Sequence, residues 1–258
     1  ANYSTKRNGE IHMSDEFQEG LDALRSAAKP SEDTESERPT VNWLSVQNGQ
    51  SVIVQPIQEL DINSPEYNEE RGLAYVTWYH SSPYDWKRQA LCTKLDGPCF
   101  ACEINGSDLI REGVPGYKPE NAGKPLPWYA RKRFYINFLV TNPETGEREV
   151  QAFHTSTTGQ GILPTLLEFY DTNGPISNRV FTLSRTGDKR DTSYTMTLRL
   201  NDTPADLTGL VPQPTREGGY LKVKYENQPK FYKYPGVGTQ ISSPAEEVRA
   251  ASTSDVTW

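Results

Sequence analysis

Sulfur is scarce in this chain of 258 residues, which carries three cysteines and two methionines. An odd cysteine count excludes a fully paired disulfide framework of the kind that holds small secreted domains together. Long apolar runs are missing too: no window approaches the roughly 18 consecutive apolar residues of a membrane-spanning helix. The stretch Ala1 to Glu10 is polar, without the apolar centre of a signal peptide. No phosphate-cradling G-x-x-x-x-G-K-[ST] pattern occurs. None of the three histidines, His12, His80 and His154, is followed two residues later by glutamate, the acid/base partner that a zinc deaminase requires. The expectation is a soluble, intracellular protein that avoids membranes and is not an enzyme.

What is present is polar and unevenly charged. Only 34% of the residues are apolar or aromatic and mean hydropathy is -0.73, so part of the length is expected to stay outside any core. Residues 1–70 carry five Lys/Arg against fourteen Asp/Glu, residues 71–240 twenty-one against seventeen, and residues 241–258 one against three. A basic middle between acidic flanks suits a polyanion-binding domain whose ends tune its groove.

Ser14 to Ala28 has helical spacing at Phe17, Leu21 and Leu24, and the acidic, Pro-bounded run from Lys29 to Pro39 reads as a linker. From Val41 onward β signals dominate: Ser51–Gln55, Leu73–Tyr79, Arg133–Val140, Glu149–Phe153, Arg179–Ser184 and Tyr194–Leu198, with Tyr220–Tyr225 as a final strand. Asn142-Pro-Glu-Thr-Gly146 is a turn that makes the third and fourth of these a hairpin. One helix, Gly161 to Tyr170, is expected to turn Leu163, Leu166 and Leu167 inward. The fold class expected is therefore all-β (β-rich α+β), an OB-fold barrel with a zinc-binding insertion, one inserted helix and disordered acidic flanks. Its parts are a 1–40 arm, a 41–235 core with a zinc subdomain at about 80–127, and a 236–258 tail.

The metal motif is compact. Cys99-Phe-Ala-Cys102 places two thiolates on one turn, within reach of a single Zn²⁺ at about 2.3 Å. Cys92 and His80 complete a closed tetrahedral set with no position for water, hence one structural zinc per chain. The bland alternative, three small buried thiols, leaves their clustering with a histidine unexplained. His154 is a rival fourth ligand, but its place at a strand end suits a structural role.

In Arg131-Lys132-Arg133-Phe134-Tyr135-Ile136-Asn137-Phe138, alternation puts Phe134, Ile136 and Phe138 on one strand face and Arg131, Arg133, Tyr135 and Asn137 on the other. Cations for phosphates and a ring for bases suit a single nucleic-acid strand. Trp128 and Tyr129 precede this strand, and Trp86, Lys87 and Arg88 flank the metal motif. Trp78 and Phe134 are expected in the core, Tyr135 and Trp86 at the surface.

Taken together, the His80, Cys92, Cys99 and Cys102 set, the aromatic-basic strand, Asp171-Thr-Asn-Gly, Arg179-Val-Phe-Thr-Leu-Ser-Arg-Thr-Gly187 and Asp191-Thr-Ser-Tyr-Thr-Met-Thr resemble the zinc-containing single-stranded-DNA-binding proteins of double-stranded-DNA phages. The similarity spans about Gln50 to Leu207, with a shorter gap between Cys92 and Cys99 than in the T-even type. It implies an OB-fold core that binds single-stranded DNA cooperatively with copies of itself, in replication, recombination and repair within the cytoplasm of an infected bacterial host. It assigns zinc to His80, Cys92, Cys99 and Cys102. Ser4-Thr5-Lys6-Arg7 echoes the family's self-association cluster. The tail tip, Asp255 to Trp258, resembles tips that dock replication and recombination proteins. The alternative is a zinc-loop adaptor that docks replication enzymes, with DNA binding incidental.

Overall fold

The computed structural model describes residues 39–142 and 145–235. The expected Ser14–Ala28 helix, the Ser4–Arg7 cluster and the tail residues Asp255 and Trp258 lie outside these. Seven antiparallel strands form one sheet: β1 (Ser51–Pro56), β2 (Tyr75–Ser81), β3 (Gln89–Leu91), β4 (Arg131–Thr141), β5 (Arg148–Ser156), β6 (Phe181–Thr186) and β7 (Ser193–Leu198). The β-rich expectation holds. The sheet order is β3-β2-β4-β1-β6-β7, with β5 added to β4, and the sheet is not closed into a barrel. Among the described residues no helix is long and apolar enough to cross a membrane.

The long strand β4 is where the sheet forks. Its first half, Arg131–Tyr135, pairs with β2, and its last residues, Phe138–Thr141, pair with β1. Its other edge pairs with β5 from Arg133 to Thr141. One branch, β1-β6-β7, builds the main apolar core with Phe134, Ile136 and Phe138 of β4 and Phe153 of β5. Alternation supplies these inward side chains, because every second residue of a strand points to the same face.

Helix α2 (Leu163–Asn173) closes one side of this core. Pro164 suits its first turn, and Gly174, at a positive φ of 77° that favours glycine, ends it with its N–H bonded to the Tyr170 carbonyl. Leu166 is buried as expected, but Leu167 faces solvent, because Phe169 and Tyr170 take the inward positions of the next turn.

The other branch, β2-β3, carries a second core. It combines Ala90, Cys99, Ala101, Val114, Leu126 and Trp128 with Tyr232, and Val223, Phe231 and Tyr234 pack against it. The module holding the cysteines is thus built from two stretches, about 80–128 and 221–234. The expected strand Tyr220–Tyr225 is reduced to one bridge, Leu221 beside Ala90. Prolines and glycines flank it, and the short helices α3 (Thr215–Gly218) and α4 (Gln228–Phe231) take the neighbouring chain instead.

Candidate metal centre and aromatic-basic surface

Three elements deliver the metal-ligating set. His80 ends β2, and Cys92 follows β3 with its N–H bonded to the Trp78 carbonyl at 2.9 Å. Cys99 is the N-cap residue of the short helix α1 (Phe100–Ile104), whose first turn presents Cys102. Their ligand atoms all lie within 4.8 Å of one another. Cys102 Sγ is 3.3 Å from His80 Nε2 and 3.6 Å from Cys92 Sγ, and Cys92 Sγ is 4.0 Å from Cys99 Sγ. A tetrahedral ion with sulfur at about 2.3 Å needs sulfurs about 3.8 Å apart, close to these separations, so this group could hold a metal ion.

The surroundings are prepared for it. His80 is fully buried, and its Nδ1 lies 2.6 Å from the Trp128 carbonyl. A carbonyl can only accept, so Nδ1 carries the proton and Nε2 turns its lone pair to the thiols. Burial opposes ionisation of Cys99, yet the neighbouring His80 and hydrogen bonds from the Cys102 and Thr93 backbone bring its thiol down to about 6. Burial and the neighbouring thiols push Cys102 up to about 12, and burial raises Cys92 as well. One thiolate forms readily, and the others wait for a cation to offset their charge.

Two buried polar residues that sequence reasoning missed tie the module together. Asp108 accepts from Trp128 Nε1 and Tyr84 Oη, each at 2.8 Å, and lies 3.4 Å from Arg111. Gln228, fully buried, accepts from the Phe100 N–H at 2.9 Å and donates to Thr93 Oγ1 and the Val223 carbonyl. Neither residue belongs to a spacing pattern, so nothing local marked them.

The aromatic-basic residues divide sharply. Trp86, Lys87, Tyr129, Arg131 and Lys132 are exposed. Each exposed ring carries a cation: Lys87 lies 5.9 Å from the Trp86 centroid and Arg131 lies 5.4 Å from that of Tyr129. Trp78, expected in the core, is 40% exposed, because its end of β2 runs past the apolar core, and Lys132 Nζ sits 4.5 Å over its ring.

Trp128, Arg88, Arg133, Tyr135 and Asn137, by contrast, are buried, which corrects the expectation that they line an open groove. Trp128 packs in the metal module with its indole N–H spent on Asp108. Arg88 sits beside Phe231, 5.7 Å from the ring, and beside Asp85. Arg133 donates to Tyr79 Oη at 2.8 Å and lies 2.9 Å from His154 Nδ1. The Tyr79 and Tyr220 rings stack at 4.4 Å alongside it.

Tyr135 stacks on Tyr75 at 5.1 Å with planes 7° apart, and burial raises its hydroxyl's pKa. Asn137 bonds to Gln58 and Gln213. His154 lies outside the metal-ligating group, and burial and the Arg133 charge hold its imidazole neutral, lowered to about 3. The polar face of β4 thus exists as alternation predicts, but the chain's own residues 42–43 and 205–220 cover it. Comparison with protein-family models, curated proteins and solved structures found no match to this chain.

Proposed function

We propose that this protein binds single-stranded DNA without sequence preference and that a structural Zn²⁺ organises the module on which part of its surface is built. The observation that carries this reading is the set of exposed rings paired with cations: Trp86 with Lys87, Trp78 with Lys132, Tyr129 with Arg131. A base can stack on a ring while the adjacent cation neutralises the neighbouring phosphate, and each stacked base contributes about 1–3 kcal/mol whatever its identity. The phage-type resemblance of the sequence points the same way, and the open sheet is read as a variant of the OB type. Under this reading the protein acts in DNA replication, recombination and repair, with copies of itself along the strand.

The test is a tryptophan-fluorescence titration of the full chain with oligo(dT) against a duplex of equal length. Quenching by the single strand alone, weakening as salt rises, is the expected result. Equal response to both, or none to either, overturns the reading. One observation favours the adaptor alternative: Leu95, at the tip of the cysteine-bearing loop, is 88% exposed. An adaptor would keep full partner binding in a variant that no longer quenches with oligo(dT).

A further inference from the structure

The segment that covers the polar face of β4 is fastened unevenly. At its start, Leu207 is buried with Ile57 and Leu139, and Leu210 packs beside them. At its end, the Leu221 carbonyl accepts from the Leu91 N–H at 2.8 Å. Between these anchors, Gln213 supplies three of the bonds to the sheet side. Its N–H donates to Asn137 Oδ1, its side-chain amide donates to the Val150 carbonyl, and its Oε1 accepts from the Asn42 N–H, all at 3.0 Å. Thr215 accepts from Tyr75 Oη at 2.9 Å. Pro212 and Pro214 have no N–H to give a ladder, and Val211 is exposed.

What lies beneath is a stacking platform. The Tyr75–Tyr135 pair is near-parallel, and the outer ring, Tyr75, is covered by the Arg216 guanidinium at 4.6 Å. A guanidinium is a flat cation, so it occupies the position a nucleobase would take on that ring. The closed position also has a steric condition. A Cβ on Gly218 would meet Val41 Cγ2 at 2.3 Å and the Pro39 carbonyl at 2.7 Å, so only glycine allows the segment to lie this close.

We infer that residues 211–219 are a releasable strap: on binding, a single strand displaces them, stacks a base on Tyr75 and Tyr135 in place of Arg216, and leaves Arg216 free to meet a phosphate. The anchors at Leu207 and Leu221 stay in place, so the segment opens as a loop hinged at both ends. This deepens the proposed function and rests on it. Because closed molecules cannot use the platform, apparent affinity is the intrinsic affinity reduced by the open fraction.

The test is hydrogen exchange of the full wild-type chain with and without oligo(dT), read for 205–221 and for β4. Oligo(dT) should speed exchange in 211–219 while slowing it in β4. Gln213→Ala and Gly218→Ala, which loosen or crowd the closed strap, should each tighten oligo(dT) binding up to about tenfold. Slowed exchange in the strap, or weaker binding by both variants, makes the segment part of a fixed site and overturns the inference while the DNA reading stands. No exchange change anywhere, with no binding, removes the DNA reading and the strap's role with it.

Discussion

The two branches that leave β4 are held together by different physics. The β1-β6-β7 branch buries Val54, Phe134, Ile136, Phe138, Phe153, Phe181 and Leu183 in one continuous apolar cluster. The β2-β3 branch has a smaller core, much of its interior polar: His80, Asp108 and Gln228 are buried there among three thiols. Apolar burial stabilises in proportion to area and needs no particular geometry. Buried polar groups stabilise only while every partner is in place, and removing one leaves the others unpaid for their lost water. The first branch should therefore yield gradually to change, and the second abruptly.

The largest expected effect comes from the metal centre. Chelation, or Cys99→Ser, should release stoichiometric zinc and with it on the order of 10 kcal/mol of ordering energy. Hydrogen exchange should then accelerate across 80–128 and 221–234 while β6 and β7 keep their protection. Uniform acceleration through both branches would erase the distinction between them. Next, Phe138→Ala should cost about 3–5 kcal/mol in thermal or denaturant unfolding through lost burial and a cavity. Metal content should stay stoichiometric in that variant at temperatures where it is folded.

A third effect separates the shared polar face of β4 from both cores. His154 is held at about 3 in the folded chain, against 6.5 for the unfolded one. Below pH 6.5 the unfolded state takes up a proton that the folded state refuses. Stability from this group is thus full above pH 6.5 and falls as pH drops toward 3, by up to about 1.4 kcal/mol per unit. Melting temperature should decline from pH 6.5 to 5, and His154→Gln should flatten that decline. The smallest effect distinguishes surface from interior cations. Lys132→Ala should reduce the log–log salt slope of oligo(dT) binding by about 0.7. Arg133→Ala should leave the slope alone and lower the melting temperature, because its guanidinium serves Tyr79 and His154.

Much of this was legible in the sequence. Runs of β-branched and aromatic residues located β1, β2 and β4 to β7 within a few residues, and spacing brought His80, Cys92, Cys99 and Cys102 into one group, as the geometry bears out. Alternation also sorted the faces of β4 correctly. It could not say what covers a face, since that depends on chain 70 or more residues away. Gln213 over Asn137 is such a case, and three expected groove residues of β4, Arg133, Tyr135 and Asn137, proved buried as a result. Trp78 failed in the opposite direction: its apolar character suited a core, but its strand extends beyond the one it was assigned to. The three-residue β3 was too short to show any period.

The placement of the tryptophans has an optical consequence. Trp128 is buried, its indole bonded to Asp108 and its carbonyl facing His80 Nδ1, so its emission should be blue-shifted and sensitive to the metal centre. Trp78 and Trp86 stand in solvent and should emit to the red. Trp43 lies edge-on to His154 at 5.0 Å and near Tyr135, against the covered face of β4. Single Trp→Phe variants would divide one emission band into three reporters: loss of metal would move the blue component, a bound strand would quench the red one, and uncovering of the β4 face would alter Trp43. The fold thus carries its own unlabelled dyes, one for each event that the chemistry of this molecule sets apart.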